Sequence, residues 1–173
     1  MAYLNKTEEI KAYLNDLGKE LQQVNQFMTT NPILSSILLS KSEAYKEQEV
    51  EIQTCIEANL KELNMKPIHL INIVGNLLDN ARDALLTTDL NKKIIYVSTI
   101  KLNDQVRITV RNERPILDEE MIEKILAKGF STKGTDGLGL SIVQNMSALY
   151  HADFQVYSEF EGGTRFEVIF PLK

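Results

Sequence analysis

The 173-residue sequence holds one cysteine, two histidines and no tryptophan. A single cysteine excludes an intrachain disulfide. Zinc sites built from four cysteines, or from two cysteines and two histidines, are excluded with it. His69 and His151 are far apart, so a histidine-rich metal centre has no basis. No apolar run approaches the ~20 residues that cross a bilayer as a helix. The opening residues are polar and charged and do not read as a signal peptide. Basic residues are outnumbered, 19 Lys and Arg against 24 Asp and Glu, for a net charge of −5. The basic face of a nucleic-acid binder is therefore not expected. A Gly-x-Ser-x-Gly elbow is also missing, and Cys55 has no histidine near it in sequence, so nucleophilic hydrolysis lacks a candidate. What is present is ordinary: 43% hydrophobic and 25% charged residues, in a length suited to one domain with a short appendage. A chain of this size buries roughly 70% of its unfolded surface without staples. A reduced, cytoplasmic domain is expected.

Hydrophobic spacing divides the chain into elements. Tyr3, Ile10, Leu14, Leu17, Leu21, Val24 and Met28 recur mostly at steps of four and three, the stripe of a bundle helix over residues 3–28. Asn31 before Pro32 is a helix start, and the helix runs to about Lys46. Val50, Ile52, Thr54 and Ile56 alternate with polar residues as a half-buried strand does. After Pro67, Leu70, Ile73, Val74, Leu77, Leu78, Ala81, Ala84 and Leu85 make a wide apolar helical stripe. Two β-branched strands follow, Lys93–Ile100 and one around Val106–Val110, joined at Asn103-Asp104. Asp118 caps a short helix to about Ala127. Residues 129–139 hold four glycines and read as a loop. A helix to about Tyr150 and strands near residues 153–158 and 165–171 complete the chain. This order implies an α+β sandwich with helices on one face of a mixed sheet. The division expected is 1–46, N-terminal helices, and 47–173, the sandwich.

Three patterns carry chemistry. Asn72, Asn76, Asn80 and Asp83 share one side of the helix after Pro67. Asparagine is a mediocre helix former, and its amide oxygen is a hard, neutral ligand suited to Mg²⁺, which shares its shell with water and phosphates. The second pattern is Phe130-Ser131-Thr132-Lys133-Gly134-Thr135-Asp136-Gly137-Leu138-Gly139-Leu140, a glycine-rich loop entering a helix. Its backbone can approach a ligand closely, and the helix start offers unpaired N–H groups to phosphate. Lys133 adds a point charge. The loop is neither a Walker A loop nor a dinucleotide-binding fingerprint. Taken alone it is a weak signal, better read as a mobile surface loop. The third pattern, Gly162-Gly163-Thr164, is by itself an ordinary turn.

Together these residues resemble the catalytic domain of sensor histidine kinases. Gly75-Asn76-Leu77-Leu78-Asp79-Asn80-Ala81-Arg82-Asp83-Ala84 looks like the N box. Gly129 to Gly134 with Gly137-Leu138-Gly139-Leu140 looks like the ATP lid and second glycine box, and Gly162-Gly163-Thr164-x-Phe166 like the last one. The similarity spans about residues 48–172 and is nearest to the citrate, dicarboxylate and quorum-peptide sensor subgroup, whose members often carry a segment like Asn31 to Lys41. The resemblance implies the Bergerat-type (GHKL) sandwich, a mixed five-stranded sheet with three helices on one face. It implies ATP and Mg²⁺ as ligands, with Asn80 on the metal and Asn76 on the phosphates as the catalytic pair. It further implies nucleotide contacts from Asp83, Phe130, Lys133, Gly137, Leu138, Gly139 and Leu140, and an adenine pocket of Asn112, Ile116 and Thr164.

Two departures stand out. The family's first glycine box is typically Asp-x-Gly-x-Gly; here Asn112-Glu113-Arg114-Pro115-Ile116 has Asn for Asp and no glycine. An Asn oxygen still accepts a hydrogen bond, without the strength of a carboxylate, so weaker nucleotide binding is expected. Secondly, no histidine precedes His69; by the resemblance, residues 1–46 are a remnant of the dimerisation hairpin, its second helix and continuation, and the phosphoacceptor helix is missing. The expectation is a fragment of a longer, membrane-anchored, homodimeric kinase. It would bind ATP without labelling itself, and the phosphoryl group would pass to a histidine on that missing helix and then to a response-regulator receiver domain. Two alternatives are a non-catalytic scaffold of the same fold and an anti-sigma-type serine kinase.

Overall fold

The structure, a computed structural model, describes residues 11–18, 21–22, 25, 27–127 and 138–172. Residues 11–18 are helical, and Leu14, Leu17, Leu21 and Met28 of the expected stripe are exposed. Tyr3, Ile10 and Val24 lie outside the described residues.

Helix α1, Pro32–Tyr45, begins as its sequence dictates. The Asn31 side chain accepts from Leu34 N–H at 2.9 Å and Pro32 occupies the first turn, where its missing N–H costs nothing. After a 3-10 turn, Lys46–Gln48, come strand β1, Val50–Ile56, and a second 3-10 turn, Leu60–Leu63. Helix α2, Pro67–Leu86, leads to β2, Lys93–Leu102, and β3, Gln105–Asn112. Asn103 takes a φ of +52° in the two-residue link between them. Helix α3, Glu119–Leu126, is capped by Asp118, which accepts from Met121 N–H at 2.8 Å. Helix α4, Leu138–Leu149, and strands β4, Asp153–Glu159, and β5, Gly163–Pro171, follow.

The five strands lie in the order β1-β2-β3-β5-β4. β1 pairs β2 in parallel across the α2 crossover, and the other three pairings are antiparallel. The sheet is therefore mixed, as the sequence implies. Helices α1, α2 and α4 cover one face, with α2 in the centre between the other two. Inward-facing Ile95, Val97, Val106, Ile108, Val110, Val168 and Phe170 meet Leu70, Ile73, Val74, Leu77, Leu78 and Leu85 of α2 in one core. Each such side chain contributes roughly 1.5–3 kcal/mol by leaving water.

Leu34, Ile37, Leu38 and Tyr45 of α1, and Phe27 before it, belong to that same core cluster. The expected division after residue 46 thus falls within one continuous core. The apolar spacing of α1 reads equally well as bundle helix or sandwich helix, and only the tertiary contact tells them apart.

Candidate active site on α2 and α4

Asn76 and Asn80 stand one helical turn apart on α2, both half-buried. Asn76 is oriented by its own helix: its Nδ2 donates to the Asn72 carbonyl at 2.6 Å. That bond turns Oδ1 outward. The first turn of α4 lies directly above. A Cβ added at Gly139 would stand 3.1 Å from Asn76 Oδ1 and 3.8 Å from Asn80 Oδ1. The two amide oxygens therefore converge beneath Gly139, at a helix N-terminus whose N–H groups carry partial positive charge. Asn80 Nδ2 is buried with no hydrogen-bond partner, an unmade bond that a helix tolerates only at some cost.

The donor set at this point is two neutral amide oxygens. Among the described residues no group of three His, Cys, Asp or Glu side chains is placed to hold a metal. A divalent ion here must complete its shell from phosphate and water, which is how Mg²⁺ is commonly held. The residues present fit that use. Asp83, also expected at the ligand, is instead engaged by its neighbour, accepting from Arg82 Nε at 2.8 Å.

The second half of the site lies at the ends of β3 and β5. Asn112 and Thr164 are register partners on these strands and both are buried. Asn112 Nδ2 donates to the Arg114 carbonyl at 2.7 Å, while its Oδ1 is buried without a partner. An inward-facing acceptor with no donor fits the amino group of an adenine. Gly163 passes so close to β3 that a Cβ there would come within 2.2 Å of the Asn112 carbonyl oxygen, and its φ is +75°. Only glycine meets both conditions.

Ile116 is placed differently from Asn112 and Thr164. It lines an open cleft of about 610 Å³ with Thr88, Asp89, Leu90, Arg114, Pro115 and Phe160. Neither the Asn pair of α2 nor Asn112 or Thr164 lines that cleft. Leu138, Gly139 and Leu140 are on α4; Phe130, Lys133 and Gly137 lie outside the described residues.

Several contacts around the candidate site were not readable from the sequence motifs. Asp79, between the two asparagines, accepts from Lys41 Nζ and from Tyr45 Oη of α1, each at 2.7 Å. Arg82 lies over the Tyr45 ring, 5.1 Å from its centroid. Burial, then the Asp79 bond, push the Tyr45 phenol pKa well above its usual value. At the opposite end, Tyr150, just past α4, accepts from Lys66 N–H at 3.1 Å and meets His69 Nδ1 at 2.8 Å. The end of α4 is thereby tied to the start of α2. Cys55 is exposed, and its bond to Glu57 pushes the thiol pKa up, against nucleophilic use.

A mixed sheet with its helices on one face, and asparagines meeting a glycine under a helix start, define a nucleotide-binding sandwich. Residues 65–173 match the family described as histidine kinase-, DNA gyrase B-, and HSP90-like ATPase. The chain belongs to this family, as an ATP-binding catalytic domain of the histidine-kinase kind. It is 31% identical over 98% of its length to a probable C4-dicarboxylate sensor kinase of Halalkalibacterium halodurans, of which it covers 33%. It is 30% identical to the sensor protein CitS of the same organism, over 82% of this chain and 28% of that one. The chain thus spans about a third of the length of these relatives. Among solved structures, the catalytic domain of histidine kinase ThkA superposes with a TM-score of 0.65 at 19% identity, covering 84% of this chain and 93% of that one. Full-length ShkA, in complex with AMPPNP, gives 0.67 at 18% identity over 99% of this chain and 38% of that one. At these identities the structures speak for the fold. Among the described residues no helix is long and apolar enough to cross a membrane.

Proposed function

We propose that this chain supplies the ATP-binding half of a two-component phosphorelay, passing the γ-phosphoryl group of ATP to a histidine carried by another segment of a longer sensor kinase. The observation that carries this reading is the convergence of Asn76 and Asn80 beneath Gly139. Asn80 would hold Mg²⁺ and Asn76 the phosphates, with the backbone at Gly137 to Leu140 and Lys133 along the triphosphate. Asn112 and Thr164 would bound the adenine, and Ile116 an outer wall. Bound Mg²⁺ would neutralise charge shared among the phosphate oxygens, the main requirement of phosphoryl transfer. The protein's own part is to fix and orient: Asn76 is preset by its bond to the Asn72 carbonyl, and Asn112 by its bond to the Arg114 carbonyl.

Neither histidine of this chain suits the acceptor role. His69 is bonded to Tyr150, and His151, two residues past α4, is in a left-handed conformation, φ +54°. The acceptor therefore comes from elsewhere in the full kinase, in the same chain or a partner's. The onward partner is a response-regulator receiver domain. Dimerisation, a cytoplasmic position for this part and attachment to a membrane sensor belong to the same proposal.

The test is calorimetric titration with ATP, with and without Mg²⁺, on this chain and on Asn80→Ala. Mg²⁺-dependent binding that the substitution abolishes supports the reading. Absence of binding by the unaltered chain, or equal binding by Asn80→Ala, overturns it. A second arm adds a His-bearing helix from the full-length kinase in trans and follows acid-labile label from γ-labelled ATP.

A further inference from the structure

The loop from Glu113 to Leu117 contains no glycine, yet it is held at successive backbone groups by side chains of three strands. Asn112, ending β3, donates to the Arg114 carbonyl at 2.7 Å. Thr164, near the start of β5, donates its hydroxyl to the Pro115 carbonyl at 2.7 Å. Ser158, near the end of β4, accepts from Leu117 N–H at 2.8 Å. The Ser158 and Thr164 hydroxyls are 2.8 Å apart.

These contacts fix where every proton goes. Thr164 has one hydroxyl hydrogen, and the Pro115 carbonyl takes it. The short Ser–Thr contact must then be donated by Ser158. The chain of donation runs Leu117 N–H to Ser158, Ser158 to Thr164, Thr164 to Pro115. Ser158 is the link that couples the far end of the loop to its middle. Asn112 is fixed just as tightly: its amide nitrogen faces the Arg114 carbonyl, so its buried, unpartnered Oδ1 has only one orientation open to it.

We propose that Ser158 is a positioning residue for the nucleotide base, closing a side-chain clamp with Thr164 and Asn112 that aims Asn112 Oδ1 at the amino group of adenine. The proposal rests on the ATP-binding reading above. It carries a corollary about residue 112. A carboxylate there has no hydrogen to give the Arg114 carbonyl and would repel it. Restoring the aspartate typical of the family should therefore weaken ATP binding in this chain instead of strengthening it.

The test compares ATP with inosine triphosphate, which bears a carbonyl in place of the adenine amino group, by calorimetry in excess Mg²⁺. The unaltered chain should prefer ATP by about tenfold, the value of one well-aimed hydrogen bond. Ser158→Ala should narrow that preference to about threefold or less, and Ser158→Thr, which keeps the hydroxyl, should restore it. A merely structural role would weaken both nucleotides alike and leave the ratio unchanged, and that result overturns the proposal. Asn112→Asp, which keeps the side-chain size, provides the independent arm. Weaker ATP binding supports the clamp; equal or tighter binding overturns it. Failure of the unaltered chain to bind either nucleotide overturns the ATP reading and this inference together, whereas normal ATP binding with an unchanged ratio removes this inference alone.

Discussion

Replacing Tyr45 by phenylalanine removes a single oxygen atom from a side chain that is 0% exposed, which makes it a clean probe of how α1 is fastened to α2. The lost oxygen donates to Asp79 at 2.7 Å. A hydrogen bond to a charged group nets about 1.5–3 kcal/mol. The Asp79 side chain is 38% exposed and keeps its bond to Lys41, so water and lysine compensate in part and the low end, about 1.5 kcal/mol, is expected. At this chain length that is a fall in Tm of about 3–6 °C. Asp79→Ala should cost more, about 2–3 kcal/mol, because it strands the buried phenol without a partner. The double variant should lose scarcely more than Asp79→Ala alone, since the phenylalanine then has nothing to satisfy. The expected coupling is about 1–1.5 kcal/mol, read from a double-mutant cycle in urea. Losses that simply add would refute the reasoning. An alkaline melt provides a second check. Free tyrosine ionises at about pH 10, and in the folded chain burial and Asp79 push the Tyr45 value higher. The unfolded chain then gives up its proton first, so the contribution is intact below about pH 10 and declines above it. Tyr45→Phe should lose less stability over that alkaline range than the unaltered chain does.

Four further outcomes are expected. Gly163→Ala should destabilise by about 3 kcal/mol or more in urea unfolding, because φ is +75° and the new Cβ would meet the Asn112 carbonyl. Leu77→Ala, in the centre of α2 at 0% exposure, should cost about 2–5 kcal/mol by the same measurement. Asn31→Ala should remove the α1 cap and lower stability by about 1 kcal/mol. Gly139→Ala should weaken Mg·ATP binding in calorimetry by about tenfold while shifting Tm by less than about 2 °C. Its methyl presses on Asn76 Oδ1 at 3.1 Å, and the displaced first turn of α4 buries little.

Much of the site was legible because helical spacing is read directly from sequence. Asn76, Asn80 and Gly139 lie in motifs whose geometry is local, and the fold supplies only their meeting. The β2–β3 hairpin and the caps at Asn31 and Asp118 are local in the same way. Ser158 offered no signal: a serine on a half-buried strand is unremarkable until β4 pairs β5 and sets it opposite Thr164. Tyr45 offers no sequence signal either, since nothing in its spacing says that its hydroxyl reaches a carboxylate 34 residues on. Ile116 is only four residues past Asn112 in sequence, but it lines a cleft that Asn112 does not. Neighbours in a loop do not share a face by default.

If α4 turned about the bond from Tyr150 to the start of α2, it would act as a lever. Twelve helical residues make an arm about 18 Å long. A tilt of about 10° around that pivot moves the tip by about 3 Å, close to the diameter of a water molecule, at Gly139 above the two asparagines. The pivot end carries a histidine–tyrosine contact, and the tip lies over the candidate phosphate site. On this geometry a small change in packing at His69 would be magnified where phosphate would lie.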